Sequence, residues 1–223
     1  MTQQSHQLKT LDISPNSTTR GIVIWLHGLG ANSHDFQPLI PYFNRIAPGI
    51  RYIFPDAPIQ SVTINGGMQM QAWYDISDAD LAQNQDWAGI QKSSELLQSL
   101  VNDLANQHPT LPIVLAGFSQ GGLIAIQTAL KNNPSVVGLL VLSSYLANNA
   151  LSNLDDSFSF KGSLMMMHGK SDPVVPITLA TKSFEKLIPL IKNNKWQEYN
   201  MAHEIDQEQI FDISNWLDNI FRI

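Results

Sequence analysis

Apolar residues gather in this chain into short unbroken runs, and between the runs they recur every three or four positions. Ile22-Val23-Ile24-Trp25-Leu26, Ile113-Val114-Leu115-Ala116, Val136–Leu142 and Leu164-Met165-Met166-Met167 each have turn residues on either side, the pattern of strands buried on both faces. A helical period is predicted for Trp87–Gln107, residues 121–132, residues 177–192 and Gln207–Phe221. In the first of these, Ile90, Leu97, Leu100, Val101 and Leu104 share a face, and Gln91, Lys92, Glu95 and Gln98 fall largely outside it. That face should cover a sheet. His108-Pro109 closes the helix, because the residue before a proline avoids the α region, and Pro189 should kink or divide the third helix. Strand alternating with helix implies an α/β fold: a mostly parallel central sheet with helices on both faces.

One connection breaks the alternation. Residues 55–80 run through Val62-Thr63-Ile64-Asn65-Gly66-Gly67-Met68-Gln69-Met70-Gln71-Ala72-Trp73-Tyr74-Asp75 with no sustained period, and long irregular loops in compact domains usually serve function. At 223 residues, with 43% hydrophobic and 14% charged positions, residues 1–223 are expected to form a single domain with its own core. A net charge of -6 gives no general attraction for nucleic acid or anionic lipid, which need clustered basic residues. The chain has no cysteine, which excludes disulfides, thiolate metal sites and a thiol nucleophile. Residues 1–7 carry neither the basic nor the apolar region of a secretory signal. No segment approaches the roughly 20 apolar residues that span a bilayer. A cytoplasmic location is the expectation.

The candidate chemistry centres on Ser119, in Gly117-Phe118-Ser119-Gln120-Gly121. Chance supplies Gly-x-Ser-x-Gly to roughly one chain in fifteen of this length, so context decides. Here an apolar run precedes the serine and a small-residue helical stretch, Gly121-Gly122-Leu123-Ile124-Ala125, follows it. That is the strand-turn-helix setting of the nucleophile elbow of an α/β-hydrolase fold. A serine hydroxyl needs an imidazole to take its proton and a carboxylate to orient the imidazole, in the chain order Ser, acid, His. Only His168 and His203 follow Ser119. Asp172 then His203 satisfies the order, whereas His168 would need Asp155 or Asp156 from a polar loop. His168 reads better as a structural residue bonding the acid loop. For the oxyanion, the amide of Gln120 is the first donor, and Leu29 in His27-Gly28-Leu29-Gly30, after an early strand, is the second.

With these segments in register, the chain resembles the phospholipase/carboxylesterase family, which includes the acyl-protein thioesterases and small bacterial carboxylesterases. The likeness spans almost the whole chain. It rests on Trp25-Leu26-His27-Gly28-Leu29-Gly30, Pro55-Asp56-Ala57-Pro58, Val62-Thr63-Ile64-Asn65-Gly66-Gly67, Trp73-Tyr74-Asp75, Gly117-Phe118-Ser119-Gln120-Gly121-Gly122, His168-Gly169 with Asp172, and Ala202-His203-Glu204. By that resemblance Ser119, Asp172 and His203 match the family triad, and Leu29 and Gln120 its oxyanion donors. It implies no metal or organic cofactor, an acyl ester or thioester substrate, and homodimers in some members. Ala31-Asn32 stands where eukaryotic thioesterases place an Asp, which favours the bacterial carboxylesterase branch and weakens protein depalmitoylation as a role.

Few residues separate the strand ending near Leu142 from the one starting near Leu164, too few for a large helical cap domain. An open site with a short-to-medium acyl preference follows. Met68, Met70 and Trp73 are candidate substrate-binding residues, as adaptable apolar surface. Equally, they pack the 62–75 loop down, or meet a membrane surface or a second subunit. The leading expectation is a serine carboxylesterase acting through an acyl-enzyme. A lysophospholipase or acyl-protein thioesterase would use the same residues, and an inert hydrolase scaffold serving as a binding module is the reading from another class.

Overall fold

The computed structural model describes residues 8–222; the reading of residues 1–7 lies outside them. Nine strands are present among the described residues: β1 (Thr10–Ile13), β2 (Gly21–Leu26), β3 (Ile50–Pro55), β4 (Ile59–Val62), β5 (Met68–Gln71), β6 (Ile113–Phe118), β7 (Val136–Leu142), β8 (Phe160–Gly169) and β9 (Ile191–Tyr199). Five α-helices join them: α1 (Ile40–Ile46), α2 (Trp87–Gln107), α3 (Gln120–Ala129), α4 (Ile177–Leu187) and α5 (Gln207–Phe221). Seven strands form one sheet in the order β1-β3-β2-β6-β7-β8-β9. Only β1 runs antiparallel to its neighbour.

Alternation of side chains across the pleat divides the apolar runs between two cores. Ile22, Ile24 and Leu26, with Ile113, Leu115, Leu139, Val141, Leu164 and Met166, pack under α2, α3 and α4. Val23 and Trp25, with Val114, Ala116, Leu140, Leu142, Met165 and Met167, pack under α1 and α5. The runs Ile22–Leu26, Ile113–Ala116, Leu139–Leu142 and Leu164–Met167 are apolar without a break because both of their faces are covered.

The helix termini follow local chemistry. The Asp86 side chain accepts from the Gly89 amide at 2.9 Å and caps α2, and Asp206 accepts from the Gln209 amide at 2.8 Å and caps α5. The third predicted helix is shorter than its period suggested. It ends at Leu187, Pro189 lies in a single 3-10 turn (Ile188–Leu190), and Ile191 already opens β9. Proline has no N–H to continue the helix, and its ring clashes with the carbonyl one turn back.

The 62–75 stretch also departs from expectation. β4 and β5 pair as a hairpin from Ile59↔Gln71 to Val62↔Met68, turning through Gly66 and Gly67 at φ 67° and 78°, angles that glycine adopts at little cost. Residues 143–159 connect β7 to β8 with no helix or strand, so no large cap covers the end of the sheet.

Candidate active site

The carboxyl ends of the parallel strands lie level, since Leu26 pairs with Gly117, Phe118 with Leu142, Leu142 with Met167 and Gly169 with Tyr199. Every residue nominated for catalysis leaves the sheet at this edge. β2 leads through α1 to one side and β6 leads through α3 to the other, on opposite faces. The crevice between β2 and β6 is therefore a topological switch point, where open α/β sheets bind ligands.

Ser119 occupies the sharp turn between β6 and α3 at φ 54°, ψ -122°, a region costly for any residue with a Cβ. Its amide donates to the Leu142 carbonyl at 2.9 Å, and its carbonyl accepts from the Ser144 hydroxyl at 2.7 Å and the Gly122 amide at 3.0 Å. Gln120 opens the helix, where an amide has no intrahelical acceptor and is free for a ligand.

The nominated acid and base come together across the last two strands. His203 Nδ1 lies 2.7 Å from Asp172 Oδ2. The carboxylate fixes the tautomer with hydrogen on Nδ1, which leaves Nε2 with a lone pair. The imidazole packs on the Phe118 ring at 4.7 Å between centroids, which sets it beside the Ser119 turn with its side chain 16% exposed. Asp172 is enclosed. Its Oδ1 accepts from the Val174 and Val175 amides at 2.8 and 2.9 Å. Burial pushes its carboxyl up, but the hydrogen bonds from His203 and from those amides outweigh burial and hold it below the ordinary carboxylate range.

His168 is fully buried, and its Nε2–H donates to the Val175 carbonyl at 2.8 Å, with Asp172 Oδ2 at 3.4 Å. It therefore pins the Asp172 turn from behind, and burial lowers its pKa. Asp155 and Asp156, either of which His168 would have needed as a base, are both exposed, and Asp155 is bonded to Ser157.

The turn carrying Leu29 touches the Ser119 turn: a Cβ placed on Gly28 would lie 3.4 Å from the Ser119 Cβ. Sequence reasoning missed what holds this turn. His27 is buried, its Nδ1 lies 2.7 Å from the Gly28 carbonyl, and its Nε2 accepts from the Ala57 amide at 3.0 Å. Accepting at Nε2 requires the hydrogen on Nδ1, so the ring is neutral. Burial lowers its pKa in the same sense. The available signal was its place between a buried strand and two glycines.

The remaining nominated residues fall on or after the hairpin. Met68 is 63% exposed. Met70 is half-buried, with its sulfur 3.7 Å from where a Gly30 Cβ would stand. Trp73 has no exposed surface; its indole donates to the His27 carbonyl at 2.9 Å, so in this conformation it offers no face to an acyl chain. Among the described residues no group of three or more His, Cys, Asp or Glu is placed to hold a metal ion, and no helix is long and apolar enough to cross a membrane.

The sequence profile of the phospholipase/carboxylesterase family matches residues 11–221. The chain belongs to this family. Acyl-protein thioesterase 1 of Mycosarcoma maydis is 33% identical over 233 aligned residues, covering 96% of this chain and 97% of that protein. The crystal structure of Zea mays acyl-protein thioesterase 2 superposes with a TM-score of 0.82 at 25% identity, covering 96% of this chain and 99% of the other. A Bacillus cereus carboxylesterase superposes at 0.78 with 16% identity, covering 98% and 97%, a likeness that speaks for the fold alone. The phospholipase/carboxylesterase assignment and these neighbours identify the architecture as an α/β-hydrolase without a large cap.

Proposed function

We propose that the chain is a serine esterase that hydrolyses carboxylic esters and thioesters through an acyl-enzyme on Ser119. The observation that carries this reading is the 2.7 Å contact between Asp172 and His203, with the imidazole packed against Phe118, the residue before a strained, half-buried serine. His203 Nε2 takes the proton as Ser119 Oγ attacks the carbonyl carbon. The Leu29 and Gln120 amides donate to the oxygen as it becomes negative. Collapse expels the alcohol or thiol, which leaves with the proton from His203. Water deprotonated by His203 then attacks the acyl carbon and releases the acid and Ser119. Asp172 stays ionised throughout.

The edge of the sheet between Leu142 and Phe160 carries no cap, so a bulky leaving group has access. The names of the Mycosarcoma and Zea relatives weigh toward thioesters, and Ala31-Asn32 weighs toward simple esters. Met68 and Met70 are the acyl contacts in this reading, since Met70 lies against the Leu29 turn and thioethers adapt to varied chains. The short β4-β5 hairpin suits short to medium acyl groups, and a cytoplasmic site of action fits a chain without cysteine.

A fluorophosphonate probe and a substrate series test the reading. The wild type should be labelled and Ser119→Ala should not, and Ser119→Ala should lose at least about a thousandfold in kcat. Absence of labelling on folded wild-type protein defeats it. Nitrophenyl esters, acyl-coenzyme A, an S-acylated peptide and lysophospholipid then rank the leaving groups, and far faster turnover of long-chain lipid would overturn the acyl preference.

A further inference from the structure

Residues 71–74 hold both halves of the oxyanion hole at once. On one side the Gly30 amide donates to the Gln71 carbonyl at 2.8 Å, and the Trp73 indole N–H donates to the His27 carbonyl at 2.9 Å, with the two rings 5.4 Å apart. These bonds fasten the Leu29 turn at both of its flanks. On the other side the Gln120 side chain reaches back to the same segment. Its Oε1 accepts from the Trp73 amide at 3.0 Å, and its Nε2 donates to the Tyr74 carbonyl at 2.8 Å. The segment is itself anchored. The Ala72 amide donates to the Pro58 carbonyl at 3.1 Å, the Ala72 carbonyl accepts from Gln60 at 2.6 Å, and the Trp73 carbonyl accepts from the Ser93 hydroxyl of α2.

We propose that Trp73 and the Gln120 side chain are positioning residues that fix the spacing between the Leu29 and Gln120 amides, so that both converge on one oxygen. The inference rests on the oxyanion assignment made under the proposed function. Two donors from turns far apart in sequence serve one oxyanion only if each lies about 2.7–3.1 Å from it. A displacement of about 1 Å costs roughly a hundredfold in rate. Gln120 couples the two turns directly, since its amide is one donor and its side chain grips the strap that holds the other. This also explains the burial of a tryptophan whose indole bonds a backbone carbonyl beside the site.

Trp73→Phe keeps the aromatic plane and removes the indole N–H. Gln120→Glu keeps the size and the acceptor, and replaces the donor to Tyr74 with an oxygen. Each is expected to lower kcat on a nitrophenyl ester, counted per serine titrated by fluorophosphonate, by about 10- to 100-fold with KM within about twofold. Each should weaken an alkyl trifluoromethyl ketone, whose Ser119 adduct carries the oxyanion, by the same factor. A purely structural role would lower the fraction of titratable serine and leave the rate per titrated site unchanged. Ser93→Ala, which loosens the strap from α2 without touching either turn, should show the same pattern at smaller amplitude, and decides the matter if either other variant fails to fold. Rates per site and ketone affinities within twofold of wild type, or a loss confined to KM, overturn the proposal. Ser119→Ala separates the two readings: activity surviving in it removes the proposed function, whereas an inactive Ser119→Ala beside unimpaired strap variants removes only this inference.

Discussion

The backbone angles of Ser119 cost about 1–3 kcal/mol, and flanking glycines without side chains make them tenable. A Cβ on Gly117 would lie 2.3 Å from the Gly121 carbonyl, and one on Gly121 would lie 2.5 Å from the Leu26 carbonyl. Both obstacles are main chain, which cannot swing aside. Gly121→Ala is therefore expected to lower stability by about 1–3 kcal/mol or more, read as a lower urea midpoint, and to reduce labelling of Ser119 in the protein that still folds. These glycines were legible in the sequence, because a strand-turn-helix this tight leaves no other residue type. His27 was not. A histidine at a strand end suits many settings, and only the fold supplies the Ala57 amide that selects its tautomer.

Among the elements, α2 is tied to the hairpin through one carboxylate. Asp86 caps the helix at Gly89 and also accepts from the Asp75 amide at 3.1 Å, and Asp75 in turn accepts from the Thr63 amide at 2.7 Å and its hydroxyl at 2.6 Å. Asp86→Ala should cost about 1–2 kcal/mol and raise hydrogen exchange in residues 62–75 as well as in the first turn of α2. Exchange confined to the helix would show that the hairpin does not depend on this link. Strands covered on both faces were readable because they are apolar throughout. β9 was not, apart from its end before His203. As an edge strand it exposes Lys192, Asn193, Asn194 and Lys195, and only its pairing with β8 makes it extended. The hairpin escaped notice because four-residue strands give too little alternation, although Met68-Gln69-Met70-Gln71 after Asn65-Gly66-Gly67 carries the signal in miniature.

For the molecule as a whole, stability should fall with acid in two steps. Burial holds His27 and His168 below the ordinary imidazole value, so the unfolded chain binds their protons first and stability declines as pH drops below about 6.5. Asp172 and Asp56 are held below the carboxylate value. Burial alone would raise Asp56, and its hydrogen bonds from Ser33 and the charge of Lys9 reverse that. The stability these two carboxylates add is present above about pH 3.9 and lost as pH falls through their folded values. Urea midpoints between pH 8 and 3 should show both limbs, and Asp172→Asn should flatten the lower one; a flat profile from pH 8 to 5 would contradict neutral buried histidines. The pairing of Leu26 with Gly117 also governs the order of assembly. The two turns of the site belong to strands separated by a long stretch of chain, they meet only when β2 and β6 close on each other, and such non-local pairing forms slowly. Helices can gather early while Ser119 still lacks its strained turn, and His203 follows β9, the last strand in the chain and an edge of the sheet. Under the proposed function a half-folded chain would thus be chemically silent, with reactivity acquired only in the finished architecture.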